Sequence, residues 1–195
     1  MNLRPPPAHA RAAGFTLIEL MVTIVIAAIL LMIGVPSFID FQRNSELTSA
    51  TNSLVAAISA AKGEAMKRGQ SAVVVPTPPS NSWKDGWTVF VDGNRNHLLE
   101  ATEQVVARQS ALASYFAASG TGTAAGGAPY IMFDPSGYTK TAGAGFGALT
   151  ITIARNDLTG AELAQQTRRI VIAASGRVRA CRPATDSTCT ATATE

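Results

Sequence analysis

Four groups of residues in this 195-residue chain carry side chains suited to chemistry. The first is Glu19, the only charged side chain in the otherwise apolar stretch from Phe15 to Phe38. A carboxylate inside a membrane costs a few kcal/mol near the centre and less near the edge, so Glu19 calls for a cationic partner. The second is a set of five arginines between Glu162 and Asp186, with no acid among them: Arg168, Arg169, Arg177, Arg179 and Arg182. The third is Asp92-Gly93-Asn94-Arg95-Asn96 followed by Glu103, which fills most ligand positions of a calcium loop. His97 stands where that loop needs its glycine, and the preceding run reads as a strand, so a polar hairpin turn explains the same residues. The fourth is the pair Cys181 and Cys189.

Signatures of catalysis are missing. There is no nucleophile elbow and no phosphate-binding glycine loop, and His97 is the one histidine after residue 14, read as a surface turn residue. Trp83 and Trp87 read as one core and one rim residue. The expectation is a chain that is not an enzyme and takes no cofactor and no metal. In a strand Arg177 and Arg179 share a face with Cys181, and such a cluster suits a phosphate backbone, since guanidinium makes bidentate, charge-assisted contacts. An edge strand guarded by charge, or an ion-pair surface between subunits, uses the same residues. In an exported head the cysteines close a small disulfide loop that displays Arg182; the other state is two unpaired thiols.

The elements that position these residues follow from composition and period. From Leu20 to Val35 the chain is uncharged and almost wholly apolar. Phe15–Phe38 as a helix spans about 36 Å, enough for a bilayer core of about 30 Å. Arg4 and Arg11 precede it and favour a cytoplasmic N-terminus, leaving the remainder outside. A secretory signal needs a small-residue cleavage site after its apolar run, and Ile33-Gly34-Val35-Pro36 is none. An ordinary signal anchor accounts for everything except Glu19. Pro36 removes one backbone hydrogen bond and kinks or loosens the helix. Beyond it Leu47, Ala50, Leu54, Ile58, Ala61 and Ala65 form one apolar stripe, and Gly69 after Lys67-Arg68 signals a stop. Short β-type runs follow at 71–75, 87–91, 105–109, 130–133, 149–154, 169–173 and 177–181, with 117–129 read as a low-complexity flexible loop. The net charge of +3 includes both leader arginines, so overall charge says little about partners.

Gly14-Phe15-Thr16-Leu17-Ile18-Glu19 resembles the processing site of type IV prepilins and type II secretion pseudopilins. That resemblance implies a prepilin peptidase that cuts after Gly14 and methylates the Phe15 amine, and a Glu19 that neutralises the N-terminal amine of a neighbouring subunit during assembly. It also implies local melting at Pro36. The segment 47–69, the run Trp83-Lys84-Asp85-Gly86-Trp87-Thr88-Val89-Phe90, Phe133-Asp134-Pro135-Ser136-Gly137 and Ser175-Gly176-Arg177-Val178-Arg179 are similar to the GspH/FimT family. Some minor pilins of that family take up DNA, and Gly176-Arg177-Val178-Arg179 looks like the pattern associated with that role.

The reading is an α+β chain: leader 1–14, membrane and assembly helix 15–38, amphipathic continuation 39–69, and a β-rich head 70–195. The resemblance implies a head of two small antiparallel sheets packed on the long helix. It further implies a subunit of the bacterial inner membrane with a periplasmic head, assembled with other pilins or pseudopilins into a type IV pilus or a type II secretion pseudopilus. The alternative is a minor pilin that binds double-stranded DNA through the arginines.

Overall fold

The computed structural model describes residues 14–192; the leader expected at 1–14 lies outside them except for Gly14. Helix α1 runs Leu17–Arg68 and stays helical through Pro36. It ends where the sequence signals a stop: Gly69 has φ +64°, a left-handed conformation that costs glycine little, just past Lys67 and Arg68. The chain divides into a unit that ends at Gln42 and a second unit from Arg43 onward. In the first unit the apolar side chains of α1 are exposed; an 18-residue window has mean hydropathy 2.7 and none of it is buried, the composition and length of a helix able to cross a membrane.

Among the described residues, the second unit holds the remaining turns of α1 and nine strands. A five-stranded antiparallel sheet has the order β3-β2-β1-β5-β6, from β1 (Ser71–Pro76), β2 (Trp87–Asp92), β3 (Val105–Gln109), β5 (Ile131–Phe133) and β6 (Thr139–Lys140). A four-stranded antiparallel sheet has the order β4-β7-β8-β9, from β4 (Phe116–Gly120), β7 (Leu149–Arg155), β8 (Thr167–Ile172) and β9 (Val178–Cys181). A short helix α2, Gly160–Gln165, joins β7 to β8.

Leu47, Thr51, Leu54, Ala57, Ile58, Ala61 and Ala65 of α1 are buried. They join one cluster with Ala72, Val74 and Val89 of the first sheet and Ile151, Ile153, Ile170 and Ile172 of the second. Each fully buried Leu or Ile contributes about 1.5–3 kcal/mol. The stripe departs from its sequence pattern at three positions: Ala57 is buried, Thr51 is buried with its hydroxyl donating 2.7 Å to the Leu47 carbonyl, and Ala50 is only half-buried. All six residues of β1 are buried, since Val73 and Val75 on its other face meet Phe90 and Met132.

Two features depart from the sequence reading. Residues 117–129 are not a flexible loop throughout: Ala117–Gly120 belong to β4 and pair with β7, and Gly122–Ala124 form a 3-10 turn. Small residues are needed there because a Cβ on Gly120 would lie 2.1 Å from the Ala124 carbonyl oxygen. Trp83 and Trp87 are both core residues at 2% exposure, and the Trp83 indole donates 2.9 Å to the Ala124 carbonyl, so neither offers a free ring face.

Three of the segments that carried the resemblance, 47–69, 133–137 and 175–179, meet at one joint. Gly176, at φ +75°, packs its α-carbon against the Gly137 carbonyl, and Lys62 of α1 donates 2.9 Å to the Gly176 carbonyl. Gly137 itself has φ +81° and sits over the Lys62 and Met66 side chains. Thr139 of β6 donates its backbone N–H 3.2 Å to the Ala174 carbonyl, linking the two sheets beside the same joint.

Candidate functional site

Within the first unit, the chemistry sits on the opening turn of α1. Thr16 precedes the helix, and its hydroxyl accepts the backbone N–H of Glu19 at 3.2 Å. Its carbonyl accepts the N–H of Leu20, also at 3.2 Å. Thr16-Leu17-Ile18-Glu19 therefore has the spacing of a capping box, an N-cap signal the sequence reading did not use. The turn places the Glu19 carboxylate at the positive end of the helix dipole, which offsets part of the cost of a charge in an apolar run. Gly14 is exposed with nothing within 4 Å of a Cβ built there, and Phe15 is 82% exposed, so the Gly14–Phe15 bond is open to an approaching protein.

In the second unit, the five arginines do not form one surface. Strands β8 and β9 pair Arg169 with Cys181 and Val171 with Arg179, so Arg169 and Arg179 lie on one face of the sheet. Arg168 falls on the other, with Ile170 and Ile172. Arg168 is 8% exposed; it donates to the carbonyls of Gln165 (2.9 Å) and Thr167 (3.0 Å) and to Asn44 Oδ1 (2.8 Å). Burial first, and then the charge of Arg182, push its guanidinium below its ordinary pKa. Arg169 donates to the Cys189 carbonyl. Arg179 pairs with Asp186 at 2.9 Å and donates to the Thr188 hydroxyl at 3.0 Å. These two arginines fasten the loop between the cysteines, which are joined as a disulfide with Cα atoms 5.8 Å apart. Arg177 is exposed and lies just before β9, rather than in it.

The Asp92 segment is a turn built on its carboxylate. Asp92 is fully buried; Oδ1 accepts the N–H of Arg95 (2.6 Å) and Oδ2 that of His97 (3.0 Å), both residues at φ +61°. Both oxygens are thus engaged by backbone. His97 stacks on Tyr130 with ring centroids 4.1 Å apart. No group of three or more His, Cys, Asp or Glu among the described residues is arranged to hold a metal ion.

An acid-base network escaped the sequence reading because its members are far apart in the chain. Arg155, 4% exposed, grips Asp157 through two hydrogen bonds of 2.9 and 2.6 Å, and Arg43 of α1 adds a 2.7 Å ion pair. Arg43 also lies 4.6 Å above the Tyr115 ring, whose hydroxyl donates to Glu46. The Arg155 hydrogen bonds, helped by the charges of Arg155 and Arg43 and opposed by burial, lower the Asp157 pKa to about 2. A depressed carboxyl contributes stability above its unfolded pKa of about 3.9 and loses it as pH falls toward 2. The urea midpoint of the wild type is expected to drop between pH 5 and pH 2.5, and that of Asp157→Asn to drop distinctly less; equal drops would remove Asp157 from the acid sensitivity.

The family model described as Type II transport protein GspH matches residues 50–176. The chain belongs to the GspH family. The prokaryotic N-terminal methylation motif matches residues 9–35, and that motif implies processing by prepilin peptidase. A fimbrial protein of Pseudomonas aeruginosa is 32% identical over 92 residues, covering 46% of this chain. The match spans 59% of that relative's length. Among solved structures, the type IV minor pilin FimU of Pseudomonas aeruginosa is similar at 18% identity, covering 75% of this chain and 95% of that one, with a TM-score of 0.54. The minor pseudopilin EpsH from the type 2 secretion system of Vibrio cholerae is similar at 14% identity, covering 71% and 98%, with a TM-score of 0.51. As a member of this family the chain is a pilin-like subunit, with the long helix packed on two antiparallel sheets that its relatives share.

Proposed function

We propose that the chain is a non-catalytic filament subunit, cut between Gly14 and Phe15, methylated on the Phe15 amine, and assembled as a minor pilin of a type IV pilus or as a type II secretion pseudopilin. Residues 15–38 hold it in the inner membrane before assembly, with 70–195 in the periplasm. Other pilins or pseudopilins are its partners. Carrying this reading is the apolar, unburied half of α1, with a threonine cap and Glu19 in its first turn directly after Gly14-Phe15. A helix that exposes so much apolar surface needs a lipid or protein surround, and a filament of packed helices supplies the second after the first. Pro36 is the place where the helix gives way most easily on transfer, because it lacks one backbone donor. Gly14→Val puts a branched side chain where the peptidase must approach the backbone. We expect only uncut precursor in the membrane; protein of mature mass on an immunoblot would sink the processing claim.

A duplex-DNA role in DNA uptake is the second reading, and it rests on the exposure of Arg177 and on Arg182. Arg168, Arg169 and Arg179 are committed to internal contacts. Two phosphate contacts give a log–log salt slope of about −1.8, far shallower than a five-arginine surface. The full chain in non-ionic micelles, titrated with double-stranded DNA at two salt concentrations, is expected to show that shallow slope and to lose it in Arg177→Ala/Arg182→Ala. Absence of binding at low salt would return both arginines to structural roles.

A further inference from the structure

Arg168 and Arg182 form a like-charged pair that the described residues leave without a counterion. The β8–β9 register pairs Arg169 with Cys181, so one step further makes Arg168 and Arg182 neighbours. Both line a cleft of about 280 Å³, walled on its other side by Thr48, Thr51 and Asn52 of α1. Arg168 is buried, yet its partners are two carbonyls and one amide oxygen; no Asp or Glu among the described residues pairs with it or with Arg182. Taking a guanidinium out of water without an opposite charge is costly, and a second guanidinium beside it raises the cost. Of the five guanidinium N–H groups, Gln165, Thr167 and Asn44 take three, which leaves Nε–H and one Nη2–H. The Nε/Nη2 edge of an arginine is a two-pronged donor matched to two oxygens of one acid.

We propose that this cleft is a carboxylate-binding site, in which one carboxylate sits against the open edge of Arg168 and the guanidinium of Arg182. A planar, two-oxygen anion fits better than phosphate for a physical reason. The Thr51 hydroxyl donates to the Leu47 carbonyl and the Thr48 hydroxyl to the Asn44 carbonyl, so of the helix side chains lining the cleft only the Asn52 amide is left to donate, too little for both the third and the fourth oxygen of a tetrahedral anion. We assign the carboxylate to an Asp or Glu side chain of a neighbouring subunit, because the cleft is cationic and lies against β9, the edge strand of its sheet, where another chain can reach it. That source rests on the filament reading above, whereas the site itself does not.

The test uses the full chain, labelled with nitrogen-15 and held in non-ionic micelles, with acetate as the probe carboxylate and ionic strength kept constant. The arginine Nε–H resonance of Arg168 is expected to shift saturably with acetate and to stay still with acetamide, which has the same shape and no charge. Arg182→Gln, which removes one charge from a side chain that makes no hydrogen bond or ion pair among the described residues, is expected to weaken acetate binding at least fivefold. Equal shifts with acetamide, no saturation, or an unchanged affinity in Arg182→Gln would overturn the site. Inorganic phosphate binding more than tenfold tighter than acetate would overturn the carboxylate assignment. Each of these outcomes is independent of whether Gly14–Phe15 is cut.

Discussion

Gly176→Ala is expected to destabilise the head by about 2–6 kcal/mol. The new Cβ would lie 2.0 Å from the Gly137 carbonyl oxygen, and the backbone at φ +75° disfavours any side chain. Strain in the left-handed region costs about 1–3 kcal/mol and overpacking about 1–3 kcal/mol more. Together, at about 2–6 kcal/mol, they remove a large share of the stability of an ordinary domain, about 5–15 kcal/mol. Neither neighbour can yield: the clash is with backbone, and Lys62 pins the Gly176 carbonyl from the helix side. Gly63→Ala makes the control. That glycine is in α1 with nothing within 4 Å of its built Cβ, so alanine there should raise stability by about 0.5–1 kcal/mol. Urea unfolding in non-ionic micelles, followed by the emission of the two buried tryptophans, measures both. A Gly176→Ala midpoint near the wild-type value would show that the joint relaxes, contrary to this account.

Glu19→Ala and Glu19→Gln should both be inserted and cleaved normally, yet fall at least tenfold in the amount recovered in sheared filaments. The two variants separate two jobs of one residue. Glutamine at the third helical position keeps the capping-box pattern that starts with Thr16, whereas alanine loses it. Both lose the negative charge. If Glu19 neutralises the amine of an adjacent subunit, removing it leaves an uncompensated charge in an apolar interface, at a cost of about 3–5 kcal/mol. That is more than a hundredfold in an equilibrium, and the capping term is closer to 1 kcal/mol. Wild-type incorporation of Glu19→Gln beside failure of Glu19→Ala would assign the residue to the cap alone.

The parts of this fold legible in the sequence are those set by local pattern. The stop at Gly69, the stripe Leu47–Ala65 and the strands read at 105–109 and 149–154, the second of which extends to Arg155, follow from period and turn chemistry. Tyr130 and Ala173 lie just outside strands because their pairing ends, which apolarity alone does not reveal. Strand β4 was hidden because Ala117-Ala118-Ser119-Gly120 has neither apolar alternation nor β-branched residues; it is a strand because β7 offers it a ladder and Ala124 needs the space. The arginine set misled for a related reason. Sequence spacing gives the face of a residue within one strand, but Arg168 and Arg169 sit on a different strand from Arg179, and their acceptors, Asn44 and the Cys189 carbonyl, are 124 and 20 residues away. Likewise Arg43, Asp157 and Arg155 become one network only when α1 meets the end of β7.

The contact between Gly176 and Gly137 also bears on how this sequence can drift. At a joint where side chain meets side chain, a loss on one partner can be repaired by a change in the other. At Gly176 a side chain would meet main chain, which no replacement at Gly137 can withdraw, so Gly176 is fixed singly and not as one of a pair that co-varies. The connections 93–104, between β2 and β3, and 156–166, between β7 and β8, take no part in the joint and tolerate changes of length better than it does. Homologous heads should therefore differ most in those lengths, while the spacing from Lys62 to Gly69, within one helix, and from Phe133 to Gly137, within one turn, stays constant.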